Sequence, residues 1–280
     1  MSEEKAVDSG QVSQPAQTVD AQVSTALFEP HHLADLARGG RLYLVADGLS
    51  GAANGLVASQ YAVKKVIHAY YHSSISGPQA RLLDVVQQTN HDIFTRNVQN
   101  PERRPLATTL IVALIHNNKL LVANVGDSQA FVVWDQDIER LKLTYQPDGP
   151  AKESDDPVVL VPSQPGPTEA TEKKEPPDSF RDRLPSALGF EKTANIETCS
   201  RRLFPGDIVV LCSGGLTGYL QEKEIARAVN THPPEQAIRR LIALADERGY
   251  RGQCAISITR MLSSPIALRP PNQMTLESVY

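Results

Sequence analysis

A change in hydrophobic period near residue 105 constrains this chain more than any other feature. Before it, Leu56, Val57, Tyr61, Val63, Val66, Ile67 and Tyr70 recur at helical spacing over residues 56–72. Leu82, Leu83, Val86, Ile93 and Phe94 repeat the pattern to about residue 98, after Pro78, which suits the first turn of a helix. After it, residues 108–115 and 119–125 are β-rich runs joined by His116-Asn117-Asn118, a hairpin signal because Asn tolerates positive φ. A strand at 130–134 follows the turn Gly126-Asp127-Ser128, and 138–143 returns across Asp135-Gln136-Asp137, so the region reads as a meander of antiparallel strands. A short strand at 41–46, closed by Asp47-Gly48, precedes the two helices. Strands at 195–203 and 208–212 flank the turn at 204–207; helices at 222–230 and 234–248 and a last strand at 255–261 complete the order. Strand, two helices, several strands, two helices and a strand imply an α+β fold with antiparallel sheet packed against helices.

Two stretches and a tail stand outside this pattern. Residues 1–20 are Ser, Gln, Glu and Asp without period and are expected to be a disordered leader. Residues 146–185 hold nine of the 20 prolines and a single aromatic, too little apolar surface to offset the cost of ordering. They are expected to be a flexible excursion from one domain spanning 21–261, with PVVLV at 157–161 as the part able to dock; 262–280 is a C-terminal tail. The 280 residues suffice for a real core, and the net charge of −4 speaks against nucleic-acid or membrane-surface binding. Cys199, Cys212 and Cys254 have no metal or disulfide spacing, and no apolar run approaches the roughly 18 residues of a membrane span. The opening residues lack the pattern of a signal peptide, so a cytoplasmic location is expected.

Within this frame four segments stand in register: VADGLSGAANGLVAS at 45–59, ATTLIVALI at 107–115, ANVGDSQAFVV at 123–133 and LFPGDIVVLCSGGLTGYL at 203–220. A fifth, RGYRGQCAISITR at 248–260, is weaker. Together they resemble the metal-dependent (PPM, or type 2C) serine/threonine protein phosphatases in their bacterial form. The family patterns are V-A-D-G-M-G-G-H-x-x-G-x-x-A-S, a G-T-T strand, A-N-V-G-D-S-R-A-Y, L-x-P-G-D-x-x-L-L-C-S-D-G-L-T and R-G-S-R-D-N-x-T-V-V-V-V-R. The resemblance covers about 40–145 and 185–260, and implies two antiparallel sheets in a sandwich flanked by helices.

It also implies two bridged divalent cations, manganese or magnesium, about 4 Å apart on hard oxygen ligands, turning a water into the nucleophile. Asp47 matches the bridging Asp, Gly48 the residue that offers its carbonyl, and Asp127 an Asp linked to a third, weaker metal. The two further carboxylates are lost: Gly214 replaces the Asp of S-D-G-L, and Gly252 that of D-N. The phosphate-grasping Arg of the family's N-terminal motif has no counterpart, because residues 1–37 hold no arginine and 22–28 no acid. Glu29 and Asp35 lie nearby outside any motif, Gln129 and Ser50 replace a family Arg and Gly, and LKLTYQPDGP at 141–150 loses the Asp-His-Ser that precedes the family's flap.

Asp47 and one carbonyl leave a two-metal centre far from neutral, so no resident cofactor is expected, or at most one weakly held Mn²⁺ or Mg²⁺. Each missing electrostatic group costs roughly 10² to 10³ in rate. The chain therefore reads as a pseudophosphatase with no catalytic residues, acting as a regulator or scaffold for a protein kinase or phosphoprotein. The alternatives are a divergent active phosphatase using Asp47, Gly48, Asp127 and Glu29 or Asp35, and a structural part of a larger assembly. Titration of Mn²⁺ into the chain and into Gly214→Asp with Gly252→Asp separates the readings: binding only by the variant fits the first, and binding by the unmodified chain fits the active phosphatase. Elsewhere His31-His32 reads as a loop pair, Cys199 and Cys212 as core, Trp134 as packing, and Cys254 as a thiol with no basic partner.

Overall fold

The β-rich runs form two separate sheets rather than one meander, because the turn after residue 125 carries the chain from one sheet to the other. The computed structural model describes residues 8–14, 22–28, 39–49, 55–103, 105–145, 186–252 and 254–261. Strands β1 (Asp8–Gln14), β2 (Gln22–Phe28) and β3 (Arg41–Gly48) precede helices α1 (Gly55–His72) and α2 (Pro78–Gln99). Then come β4 (Leu110–His116), β5 (Lys119–Val125), β6 (Gln129–Trp134), β7 (Asp137–Arg140), β8 (Thr144–Tyr145), β9 (Glu197–Arg202) and β10 (Ile208–Cys212). Helices α3 (Gly214–Thr217), α4 (Glu222–Thr231) and α5 (Pro234–Glu247) lead to β11 (Cys254–Arg260). One sheet has the order β1-β11-β10-β6-β7 and the other β2-β3-β4-β5-β9-β8, with antiparallel neighbours throughout.

The sheets bury both faces, so their central strands are apolar almost continuously instead of alternating. In β3, Leu42, Leu44 and Ala46 pack toward α1 and α2, while Tyr43 and Val45 join Ala130, Val132 and Leu211 between the sheets. On the far side Val210, Ile256 and Ile258 meet Ile225, Ile238 and Leu241 of α4 and α5. The result is helix, sheet, sheet, helix, and each fully buried aliphatic side chain contributes about 1.5–3 kcal/mol. β7 exposes Asp137, Glu139 and Arg140, the charged pattern that keeps an edge strand from pairing further.

Several local expectations hold and several change. Asn117 and Asn118 take φ 49° and 59° in the two-residue β4–β5 turn, as the hairpin signal requires. Gly126 has φ 121°, and a Cβ there would stand 2.6 Å from Thr109 Cγ2, so the crossing between the sheets depends on glycine. The strand expected at 138–143 ends at Arg140, and Thr144–Tyr145 joins the other sheet beside β9. Asp8–Gln14, expected to be part of a disordered leader, pairs along β11 from Asp8↔Arg260 to Gln14↔Cys254. Composition misses such a strand because edge pairing is made by backbone groups and needs no apolar period. The excursion at 146–185 and the tail at 262–280 lie outside the described residues.

Candidate functional site

The C-terminal end of β3 delivers Asp47 to one end of the sandwich, and the residues before β4 fix its backbone. Thr109 N–H and Thr108 Oγ1 each donate to the Asp47 carbonyl at 2.9 Å, and Asp47 N–H donates to Thr109 Oγ1 at 3.3 Å. Gly48 bridges to Thr108, which in turn bridges to Leu188, so the chain resuming at residue 186 is tied to the same corner. Helix α1 begins so close to Gly48 that a Cβ on Gly55 would lie 3.1 Å from the Gly48 carbonyl carbon.

Asp47 Oδ1 is buried and without a hydrogen-bond partner. Burial, and then the negative charge of Asp127, push its carboxyl up to about 8. Asp127 stands on the crossing turn as an exposed residue, yet its carboxyl turns inward and burial raises its pKa as well. That carboxyl occupies the space a side chain at position 214 would need: a Cβ built on Gly214 would overlap all three of its carboxyl atoms.

Position 252, the other one expected to lack a carboxylate, is exposed and has an aromatic ring beside it. Tyr250 is 8% exposed, and its hydroxyl lies 2.7 Å from where a Cβ would stand on Gly252, and equally 2.7 Å from one on Gly215. Its ring packs at 5.1 Å on that of Tyr219. Burial raises the phenol's pKa, and the charges of Cys254, Asp47, Tyr219 and Asp127 raise it further, so it stays protonated and offers a cation no anionic oxygen.

The residues expected at the site are thus brought together: Asp47, Gly48, Asp127, Gly214 and Gly252 share one corner of the fold. Each glycine has a neighbour where a side chain would stand, the Asp127 carboxyl at 214 and the Tyr250 ring at 252. Neither side chain has room unless Asp127 and Tyr250 move. Sequence reasoning missed Tyr250, although the signal was present: it replaces Ser in R-G-S-R-D-N, two positions from the lost Asp. Glu29, Asp35 and His31-His32 lie outside the described residues.

Among the described residues, the donor set at this corner does not fit a two-metal centre. Two carboxyls that repel each other, one backbone carbonyl and a neutral phenol cannot balance four positive charges. Among the described residues, no group of three His, Cys, Asp or Glu is placed to hold a metal ion. Cys254 is 1% exposed and its thiol is pushed up to about 12 by burial and the charges of Asp246 and Asp47, which makes it an inert core residue. Cys212 is fully buried with its pKa raised, and burial pushes Cys199 up to about 12. Trp134 packs under the Arg201 guanidinium at 4.5 Å.

A family model described as protein phosphatase 2C matches residues 31–253. The chain belongs to this family. The serine/threonine phosphatase Stp of Listeria monocytogenes is 24% identical over 188 residues, covering 66% of this chain and 69% of that one. PstP of Mycobacterium tuberculosis is 27% identical over 210 residues, 74% of this chain but 38% of the relative. The catalytic domain of PstP, solved in complex with 2 manganese ions, superposes with a TM-score of 0.64 at 20% identity, covering 92% of this chain and 99% of that one. The PPM sandwich expected from the motifs is therefore the observed fold. Among the described residues no helix is long and apolar enough to cross a membrane.

Proposed function

We propose that this protein keeps the protein phosphatase 2C fold without its two-metal chemistry, and serves as a cytoplasmic binding module in protein phosphorylation signalling. The reading rests on one observation: a side chain at position 214 would overlap the Asp127 carboxyl, and one at position 252 would begin 2.7 Å from the Tyr250 hydroxyl. Neighbours that take up the room of a carboxylate at these two positions support a corner that works without one. The surface around this corner then recognises a phosphoprotein or protein kinase without turning it over. The test is hydrolysis of p-nitrophenyl phosphate and a phosphothreonine peptide across a range of Mn²⁺ concentrations. The expected rate equals that of the protein-free control, since each lost electrostatic group alone costs roughly 10² to 10³. Mn²⁺-dependent turnover that Asp47→Asn abolishes would overturn the proposal.

The second reading, a divergent active phosphatase, draws on the pairing of Asp47 with Asp127 and on the activity named for the relatives. Two facing carboxyls with raised pKa values are what a site looks like before a cation is supplied. The same assay decides between the readings.

A further inference from the structure

Helix α1 ends in the sequence His68-Ala69-Tyr70-Tyr71-His72. Residues four apart share a helix face, and Tyr70 is buried, so the two histidines project from the outer side, where both are exposed. Their rings lie nearly parallel, with an interplanar angle of 12° and centroids 4.2 Å apart. His72 Nδ1 stands 2.7 Å from the carbonyl oxygen of His68. A carbonyl oxygen only accepts, so Nδ1 carries the proton and Nε2 keeps its lone pair.

We infer that His68 and His72 form a two-histidine chelate for a borderline divalent transition ion of the Zn²⁺, Ni²⁺ or Cu²⁺ class. Three features support it. The i, i+4 spacing is the one by which helical histidine pairs hold zinc on one face. A metal-bound imidazole characteristically donates its other N–H to a carbonyl or carboxylate, which fixes ring and tautomer, and His72 already does so. Both rings are exposed, which leaves them room to swing out of the stacked arrangement, where their lone pairs run side by side, and bring two nitrogens to one ion at about 2.0–2.1 Å. Imidazole favours these ions over Mg²⁺ and Mn²⁺, which makes the site chemically distinct from anything the sandwich corner would take. Water or a second molecule fills the remaining coordination positions.

The experiment is calorimetric titration of Ni²⁺ into the full chain in a non-chelating buffer holding millimolar Mg²⁺, with helicity checked by circular dichroism. Uptake of one ion per chain is expected, weakened at least about tenfold in His68→Gln and in His72→Gln, the lower bound for removing even a supporting residue. A His31→Gln/His32→Gln variant should bind as the unmodified protein does. Absence of uptake, uptake that survives both helix substitutions, or loss in the His31→Gln/His32→Gln variant would overturn the inference. None of these outcomes depends on whether the chain hydrolyses phosphoesters.

Discussion

If Tyr250 occupies the room left by the carboxylate at position 252, replacing both residues must cost less than the two replacements added together. Gly252→Asp alone puts a Cβ 2.7 Å from the Tyr250 hydroxyl and 2.9 Å from its Cζ, against an ordinary carbon–carbon contact of about 3.5–4.0 Å. The ring must yield by close to an ångström, and overpacking of this kind costs about 1–3 kcal/mol. Gly252 is not among the positive-φ glycines, so the backbone adds no strain to that figure. Tyr250→Ser alone removes an aromatic ring that is 8% exposed and packed into the α4–α5 core, at about 3 kcal/mol. In the double variant the clash is gone and the new side chain enters the vacated space, so a favourable coupling of about 1–3 kcal/mol is expected. Urea unfolding followed by the fluorescence of the single tryptophan, Trp134, measures all four corners of the cycle at constant m-value. Additivity to within about 0.5 kcal/mol would refute the exchange of phenol for carboxylate, and with it the view of the cleft as repacked.

Asp47 gives a pH signature. A carboxyl raised from 3.8 to about 8 contributes stability that is complete below its unfolded pKa and lost as pH rises through the folded one. The protein should therefore lose stability between about pH 4 and pH 8, at up to about 1.4 kcal/mol per unit from this group. Asp47→Asn should flatten that slope and raise the melting temperature at pH 8; identical pH profiles for the two proteins would contradict a buried, unpaired carboxyl. A second substitution probes what holds the chain beside the site. Asn90 is fully buried, accepts from Gly189 N–H at 2.9 Å and donates to the carbonyls of Glu191 and Lys192. Asn90→Ala strands those groups and should cost about 2–4 kcal/mol in chemical denaturation, whereas a loss under 0.5 kcal/mol would mean the loop is held otherwise.

Much of this was legible in one dimension. Hydrophobic period and turn chemistry specify a helix or strand from neighbours a few residues apart, so α2 and β10 lie within a residue of where the pattern places them. Glycine at 214 and 252 is likewise decisive on sequence alone, because a residue without a side chain brings no carboxylate to any fold. Which sheet a strand joins is another matter. The crossing after Val125 and the pairing of Asp8–Gln14 along β11 are settled by backbone groups remote in sequence, and leave little trace in local composition.

The same holds for the space around the two glycines. Asp127 and Gly214 are far apart in the chain, and Tyr250 reaches from its own loop to both Gly252 and Gly215. The sequence determined that positions 214 and 252 carry no carboxylate. Only the tertiary structure decided which side chains stand against those positions, Asp127 at 214 and Tyr250 at 252, because contacts of this kind depend on what converges there from all directions at once.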